Sequence, residues 1–201
     1  MTEEIRAFIA VEMSPDMKSA LSALQDRLQP RQHPYAKWVD PQGIHLTLKF
    51  LGNVKRSQVT DIERAIAQGS TGVSPVRLQL GGLGAFPNLG RPRVIWVALT
   101  GDVEPLAALQ SGIDQALLPL GFSRESRAFT PHLTLARLRE RASPEERRKL
   151  GEVVRATALS DATAMEANEV SLMRSTLTPQ GATYTCLARA ALTGGLSPPS
   201  P

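Results

Sequence analysis

The chain is short of the residues on which enzymes most often rely. It has one cysteine, Cys186, so no internal disulfide can form and nothing marks an oxidising compartment. Cys186 lies in the alternating run YTCLARAAL with no histidine beside it, which reads as a small packed residue rather than a nucleophile. There are three histidines. A zinc site needs three or four ligands, and neither a cysteine pair nor a His-x-x-x-His is present to supply them. No G-x-S-x-G marks a serine nucleophile, and no Walker loop or G-x-G-x-x-G follows a strand. Gly81-Gly82-Leu83-Gly84 precedes no helix signal and predicts a bulge or a close backbone contact. No apolar run has membrane-spanning length. RAFIAVEM is too short for a signal sequence and follows Glu3 and Glu4, so the expected location is the cytoplasm.

What is present is ordinary for a globular chain: 201 residues, 42% hydrophobic and 21% charged. That length holds one domain or two small lobes with a real core. The formal net charge of +4 suits a polyanionic partner, and it suits plain solubility equally well.

The chain repeats itself. The tetrad His-Leu-Thr-Leu occurs at His45 and again at His132, 87 positions on. RAFIAVEM from Arg6 and RVIWVALT from Arg93 are also 87 apart and read as buried strands. A helix signal follows each. Ser14-Pro15-Asp16 opens the first, with Met17, Leu21, Leu24 and Leu28 as its stripe. Asp102 opens the second, with Leu106, Leu109, Ile113 and Leu117. These two stripes match better at an offset of 85. Beyond each tetrad a second helix is predicted, capped by Ser57 and ended by Gly69 in one half, started by Ser143-Pro144 in the other. An alternating strand closes each half, Val76 to Leu83 and Met165 to Leu172. Each half thus reads β-α-β-α-β. The expected fold is α+β, one domain over 1–193 with two pseudo-twofold lobes, from repeat halves near 5–86 and 92–177. Further strands are expected, one near Tyr184 to Leu192. The tail 194–201 reads as disordered.

On a strand, His45 and Thr47 share one face and Leu46 and Leu48 the other. His132 and Thr134 stand likewise against Leu133 and Leu135. Across a twofold axis the two polar pairs can face each other, gathering two imidazoles and two hydroxyls. Such a set suits phosphoryl chemistry at an ester or cyclic diester. A neutral imidazole takes a proton, a protonated one gives it, and both forms exist near neutrality. Threonine hydroxyls stabilise charge on phosphate oxygens. No metal or other cofactor is required. A mere relic of duplication remains the plain alternative.

These residues resemble the two-histidine (2H) phosphoesterases, and among them the bacterial and archaeal RNA 2′,3′-cyclic phosphodiesterases, also called 2′-5′ RNA ligases. The two HLTL tetrads resemble that family's paired HxTx motifs. RAFIAVEM, Trp38, GLGAFPN, RPRVIWVAL and RAFTPHLTLAR extend the likeness over residues 5 to about 192. The resemblance implies a bilobal fold with two antiparallel sheets flanked by helices and a V-shaped cleft lined by the HxTx strands. It implies metal-independent opening of an RNA terminal 2′,3′-cyclic phosphate to a 2′-phosphomonoester, with reversible 2′-5′ ligation, including that of tRNA halves. By resemblance His45 is the proton donor, His132 the proton acceptor, and Thr47 and Thr134 the phosphate ligands. Alternatives from the sequence are cleavage of 2′-5′ linked oligonucleotides or other cyclic nucleotides, and a non-catalytic module that binds RNA ends.

Five residues after each histidine stand Phe50 and Arg137, again equivalent. An aromatic ring stacks on a base and a guanidinium grips phosphate. Strand parity turns both away from the histidines, so they reach a ligand only if the strand bulges. Lys49 shares parity with His45 and Thr47 and is expected in the cleft. Arg127, before the second motif, is a further substrate-binding candidate. The charged run RLRERASPEERRKL reads as a solvated helix face. His33 reads as a loop residue without a catalytic role, and Trp38 as a packing support for the site. A monomer is adequate for this arrangement.

Overall fold

A computed structural model describes residues 3–28, 35–159, 163–178 and 181–194. His33 and the tail after Gly194 lie outside the described residues. Among those described are nine strands and four α-helices. The first helix, α1 (Pro15–Leu28), starts where Ser14 Oγ accepts from the Met17 amide at 3.2 Å, with Pro15 in the first turn. The last, α4 (Pro144–Ala156), opens on a reciprocal capping box between Ser143 and Glu146. The second helix, α2 (Val59–Gly69), departs from expectation: residues Arg56–Gln58 form a 3₁₀ turn, and Ser57 is inside it rather than capping. Asp102 stands at the start of α3 (Val103–Ala116), yet its carboxylate accepts from the Arg77 amide at 2.8 Å and ties the helix to a strand.

The strands form two antiparallel sheets. One has the order β3-β1-β8-β9, from β3 (His45–Lys55), β1 (Glu4–Glu12), β8 (Glu169–Thr178) and β9 (Gly181–Ala191). The other runs β2-β6-β5-β4-β7, from β2 (Ala36–Trp38), β6 (His132–Leu138), β5 (Val94–Gly101), β4 (Val76–Phe86) and β7 (Ala164–Ala167). The expected equation of lobe with sequence half needs correction. The third strand of each repeat crosses over: β4 pairs with β5, and β8 pairs with β1. The predicted strand Met165 to Leu172 is two strands, broken at Asn168, and the two pieces belong to different sheets. The repeat itself is intact, since β3-β1-β8 in one sheet matches β6-β5-β4 in the other.

Helices cross as well. From α1, buried Gln25 donates to the Leu135 carbonyl of β6 at 3.0 Å. From α3, buried Asp114 pairs with Lys49 of β3. Apolar residues of both sheets and all four helices join in one contiguous core. Gly69 does more than stop α2: a Cβ there would stand 2.6 Å from Ile113, so the glycine permits α2 and α3 to touch. The glycine-rich stretch of β4 also behaves as predicted. Its register slips between Leu80 and Leu83, and a Cβ on Gly84 would fall 2.2 Å from the Trp96 ring.

Candidate active site

The two tetrads begin β3 and β6, which come within 8 Å of each other by Cα although they belong to different sheets. Leu46, Leu48, Leu133 and Leu135 are buried and anchor the strands in the core. His45, Thr47, His132 and Thr134 are half-buried on the opposite face. Among the described residues neither threonine hydroxyl has a protein partner, which leaves both free to donate.

The histidines are held alike. His45 Nδ1 lies 2.8 Å from the Gly43 carbonyl, and His132 Nδ1 lies 2.7 Å from the Thr130 carbonyl. A carbonyl only accepts, so Nδ1 carries the hydrogen in both rings. Each Nε2 is then the nitrogen that gains and loses a proton. Aromatic rings fix the planes. Phe8 stacks on His45 at 4.5 Å and Tyr184 meets it edge-on at 4.9 Å. Phe86 meets His132 edge-on at 5.0 Å, with Trp96 at 6.0 Å. The close fit of Trp96 over Gly84 explains why that strand position has no side chain.

Surroundings then diverge. Burial pushes His45 below its ordinary value near 6.5, opposed by its hydrogen bond to Gly43 and by the Glu12 carboxylate. Glu12 stands directly across the strand pair from His45, accepting from Ser171 Oγ at 2.8 Å. The matching position opposite His132 is Ala98, which brings no charge. His45 therefore stays neutral to a lower pH than an exposed histidine. We expect its NMR titration midpoint below 6.5, falling further in Glu12→Gln. A midpoint at or above the ordinary value would contradict this. A cavity of about 270 Å³ adjoins His45, lined among others by Glu12, Lys18, Asp40 and Tyr184.

Register matters at the far ends of the two strands. Opposite β1, β3 slips at Leu48: Ala10 pairs with Thr47, but Ile9 pairs with Lys49. Opposite β5, β6 slips at Leu135: Trp96 pairs with Thr134, but Ile95 pairs with Ala136. These are equivalent bulges, each inserting one residue and reversing the parity beyond it. Phe50 and Arg137 consequently return to the histidine face, and both are exposed. Phe50, at 68% exposure, lies 6.2 Å from Phe8, the ring that stacks on His45. The second bulge is pinned, because the Leu135 carbonyl accepts from both Gln25 Nε2 and the Val39 amide, the latter at 2.9 Å.

The same kind of slip in β3 removes Lys49 from the site. Its side chain is buried, paired with Asp114 and donating to the Ser123 carbonyl at 2.7 Å. Asp114 also accepts from the Glu125 amide at 3.0 Å, so the pair fastens the segment leading into β6. The expectation of Lys49 as a substrate ligand is corrected: past the bulge its parity is that of Leu46. Arg127 is exposed in this segment, its amide donating to Glu125 at 3.2 Å, with no side-chain contact to either histidine among the described residues. Trp38 is half-buried against the core and pairs with Ala136, which fits its packing role. Cys186 is half-buried beside Phe8, Ala10 and Met173, as a small packed residue should be. The charged run is a solvated face in part, with exposed pairs Arg148–Glu152 and Lys149–Glu145. Arg147 is the exception, donating to four carbonyls: Ala142, Pro92, Arg139 and Glu140. Sequence reasoning also missed Glu12, Gln25 and Tyr184.

Among the described residues no three His, Cys, Asp or Glu side chains gather as metal ligands, and no helix is long and apolar enough to cross a membrane. Comparison with known proteins bears on the chemistry. The family described as LigT like Phosphoesterase matches the chain twice, over residues 11–96 and 97–184. The chain belongs to the LigT-like phosphoesterase family. The two matches meet between Trp96 and Val97 of β5, close to the boundary set by the 87-residue repeat. Among LigT-like relatives, the RNA 2′,3′-cyclic phosphodiesterase of Methanothermobacter thermautotrophicus is 34% identical over 182 residues, 90% of this chain and 96% of that protein. A crystal structure from Thermus thermophilus superposes with a TM-score of 0.77 at 27% identity, covering 95% of this chain and 100% of that one. Escherichia coli LigT complexed with 3′-AMP has the same fold, with a TM-score of 0.73 at 23% identity over 95% of this chain and 99% of its own.

Proposed function

We propose that this LigT-like phosphoesterase hydrolyses the 2′,3′-cyclic phosphate at RNA ends, using His45 and His132 as an acid–base pair. The observation that supports this most is the twin His-x-Thr face. Two neighbouring strands each offer an imidazole with Nδ1 locked on a carbonyl, Nε2 free, and a threonine hydroxyl without a protein partner. The name of the Methanothermobacter relative points to the same substrate class.

In the hydrolytic direction, His132 Nε2 takes a proton from water as the water oxygen bonds to phosphorus. The P–O3′ bond breaks, and protonated His45 gives its Nε2 proton to the departing O3′. The product is a 2′-phosphomonoester with a free 3′-hydroxyl, and the two histidines have exchanged protonation states. Thr47 and Thr134 donate to the non-bridging oxygens, where charge grows. Burial disfavours protonated His45, and the negative charge of a phosphate beside it would oppose that effect. A 5′-hydroxyl in place of water, losing its proton to the same His132 as O3′ departs, would yield a 2′-5′ linkage. Identical tautomers on the two sides permit the exchanged roles that the back-reaction, cleavage of that linkage to the cyclic phosphate, requires. Phe50 and Arg137, on the same face beyond the threonines, would contact the RNA next to the cyclic phosphate, the ring stacking on a base and the guanidinium gripping a backbone phosphate.

The reading is tested by a substrate panel of nucleoside 2′,3′-cyclic phosphates, RNA with a cyclic end and 2′-5′ linked dinucleotides. The expected result is fastest opening of 2′,3′-cyclic phosphates, with 2′-phosphate as product. A 3′-phosphate product would mean that the P–O2′ bond breaks and would overturn the assignment. Salt-sensitive binding of RNA ends without turnover would favour a non-catalytic module instead.

A further inference from the structure

β2 places Lys37 directly across from Arg137 of β6. Directly opposed residues share a face with side chains roughly 5 Å apart, and two like charges there destabilise the sheet. Both side chains are exposed, and among the described residues neither has a carboxylate partner. Some exposed cations elsewhere find acids, Arg56 with Glu3 at 3.3 Å, Arg64 with Asp61 at 2.9 Å and Arg189 with Glu169 at 3.0 Å, and others such as Arg91 and Arg93 do not; what sets Lys37 and Arg137 apart is that they oppose each other across a strand pair. Among the described residues, Lys37 and Arg137 thus form an uncompensated cationic pair, one on the strand that carries His132 and the other on its neighbour.

Its position has a length scale. The bulge brings Arg137 back to the histidine face, opposite Val94, whereas Thr134 is opposite Trp96. Two residues along β5 amount to about 7 Å, so the pair stands one nucleotide step from the threonine that would hold the cyclic phosphate. Lys37 also reaches towards the other sheet. Its Nζ is 4.0 Å from where a Cβ of Gly181 would stand, at the start of β9.

We propose that Lys37 and Arg137 form a subsite for the phosphodiester immediately 5′ of the cyclic end, so that the protein prefers an oligonucleotide terminus to a mononucleotide. This rests on the histidine pair being the hydrolytic centre. A second negative charge, held by two cations, removes the repulsion between them, and charge-assisted contacts of this kind are the strong ones.

The test compares kcat/KM for a nucleoside 2′,3′-cyclic phosphate with that for a short oligoribonucleotide ending in the same cyclic phosphate. It uses the wild type, Lys37→Gln and Lys37→Arg, across a salt series. The wild type should prefer the oligonucleotide. Lys37→Gln should lose about tenfold on the oligonucleotide, mainly through KM, and several-fold less on the mononucleotide. Its log–log salt slope on the oligonucleotide should be shallower by about one, and Lys37→Arg should recover most of the loss. Equal losses on both substrates, or none on the oligonucleotide, would overturn the subsite. So would a wild type that treats the two substrates alike, while leaving the histidine pair intact as the centre. A wild type that opens neither substrate would refute the hydrolytic reading itself.

Discussion

Alanine at His45 or at His132 is expected to lower kcat on a 2′,3′-cyclic phosphate by about 10²–10⁴-fold, the range for losing a positioned acid or base. Each ring is poised by one backbone carbonyl and one set of aromatic neighbours, and no other titratable side chain occupies its place on the strand face. The two losses do not multiply. Acid and base serve one transition state, so the double variant should resemble the worse single variant. Substrate binding persists, because Thr47, Thr134, Phe50 and Arg137 stand on other rungs. Both imidazoles project away from the core that holds Leu46 and Leu133, but His45 also packs on buried Phe8, so His45→Ala should cost more stability than His132→Ala. Stopped-assay kinetics with a denaturation control decide the matter. Near wild-type turnover in either variant would remove that histidine from the mechanism.

The second large effect concerns stability. Lys49→Met leaves Asp114 buried with one amide as its partner, and breaking a buried pair from one side typically costs about 3–5 kcal/mol. Urea denaturation should therefore give a midpoint well below the wild type's. Adding Asp114→Leu should restore much of the loss, because replacing both charges by apolar groups removes the orphan. A Lys49→Met protein of wild-type stability with a raised KM would show that the lysine serves the ligand after all. The pair also fastens Ser123 and Glu125, so the single variant should loosen the approach to β6 and weaken turnover indirectly.

The candidate site's polar pairs were more legible in the sequence than the geometry around them. The duplicated HLTL states the candidate catalytic pair outright, because side-chain alternation along a strand needs no tertiary information. The one-residue bulges do not announce themselves. Leu48-Lys49 and Leu135-Ala136 read as regular strand, and only pairing with β1 and β5 shows that each inserts a residue. That single slip put Phe50 and Arg137 on the histidine face and took Lys49 off it. Strand exchange was hidden for a similar reason. Val76 to Leu83 has the pattern of a half-buried strand whichever sheet receives it, and the break at Asn168 is one polar residue in an alternating run. A sequence signal did exist for Gln25. It stands 85 positions before Gln110, the offset of the two helix stripes, and both are buried polar residues on otherwise apolar faces. Such a matched pair points to hydrogen bonding inside the core, which for Gln25 is the clamp on the β6 bulge. Lys37 carried no signal at all, since β2 is three residues long and its pairing with β6 depends on the whole fold.

The central claim is that two histidines open a cyclic phosphodiester by proton transfer alone. It is tested most directly by following a nucleoside 2′,3′-cyclic phosphate by ³¹P NMR with the protein in excess chelator, with and without added divalent metal. The predicted result is steady conversion to the 2′-phosphate at the same rate in both. Turnover that disappears in chelator and returns with the metal, or binding with no conversion, would contradict it.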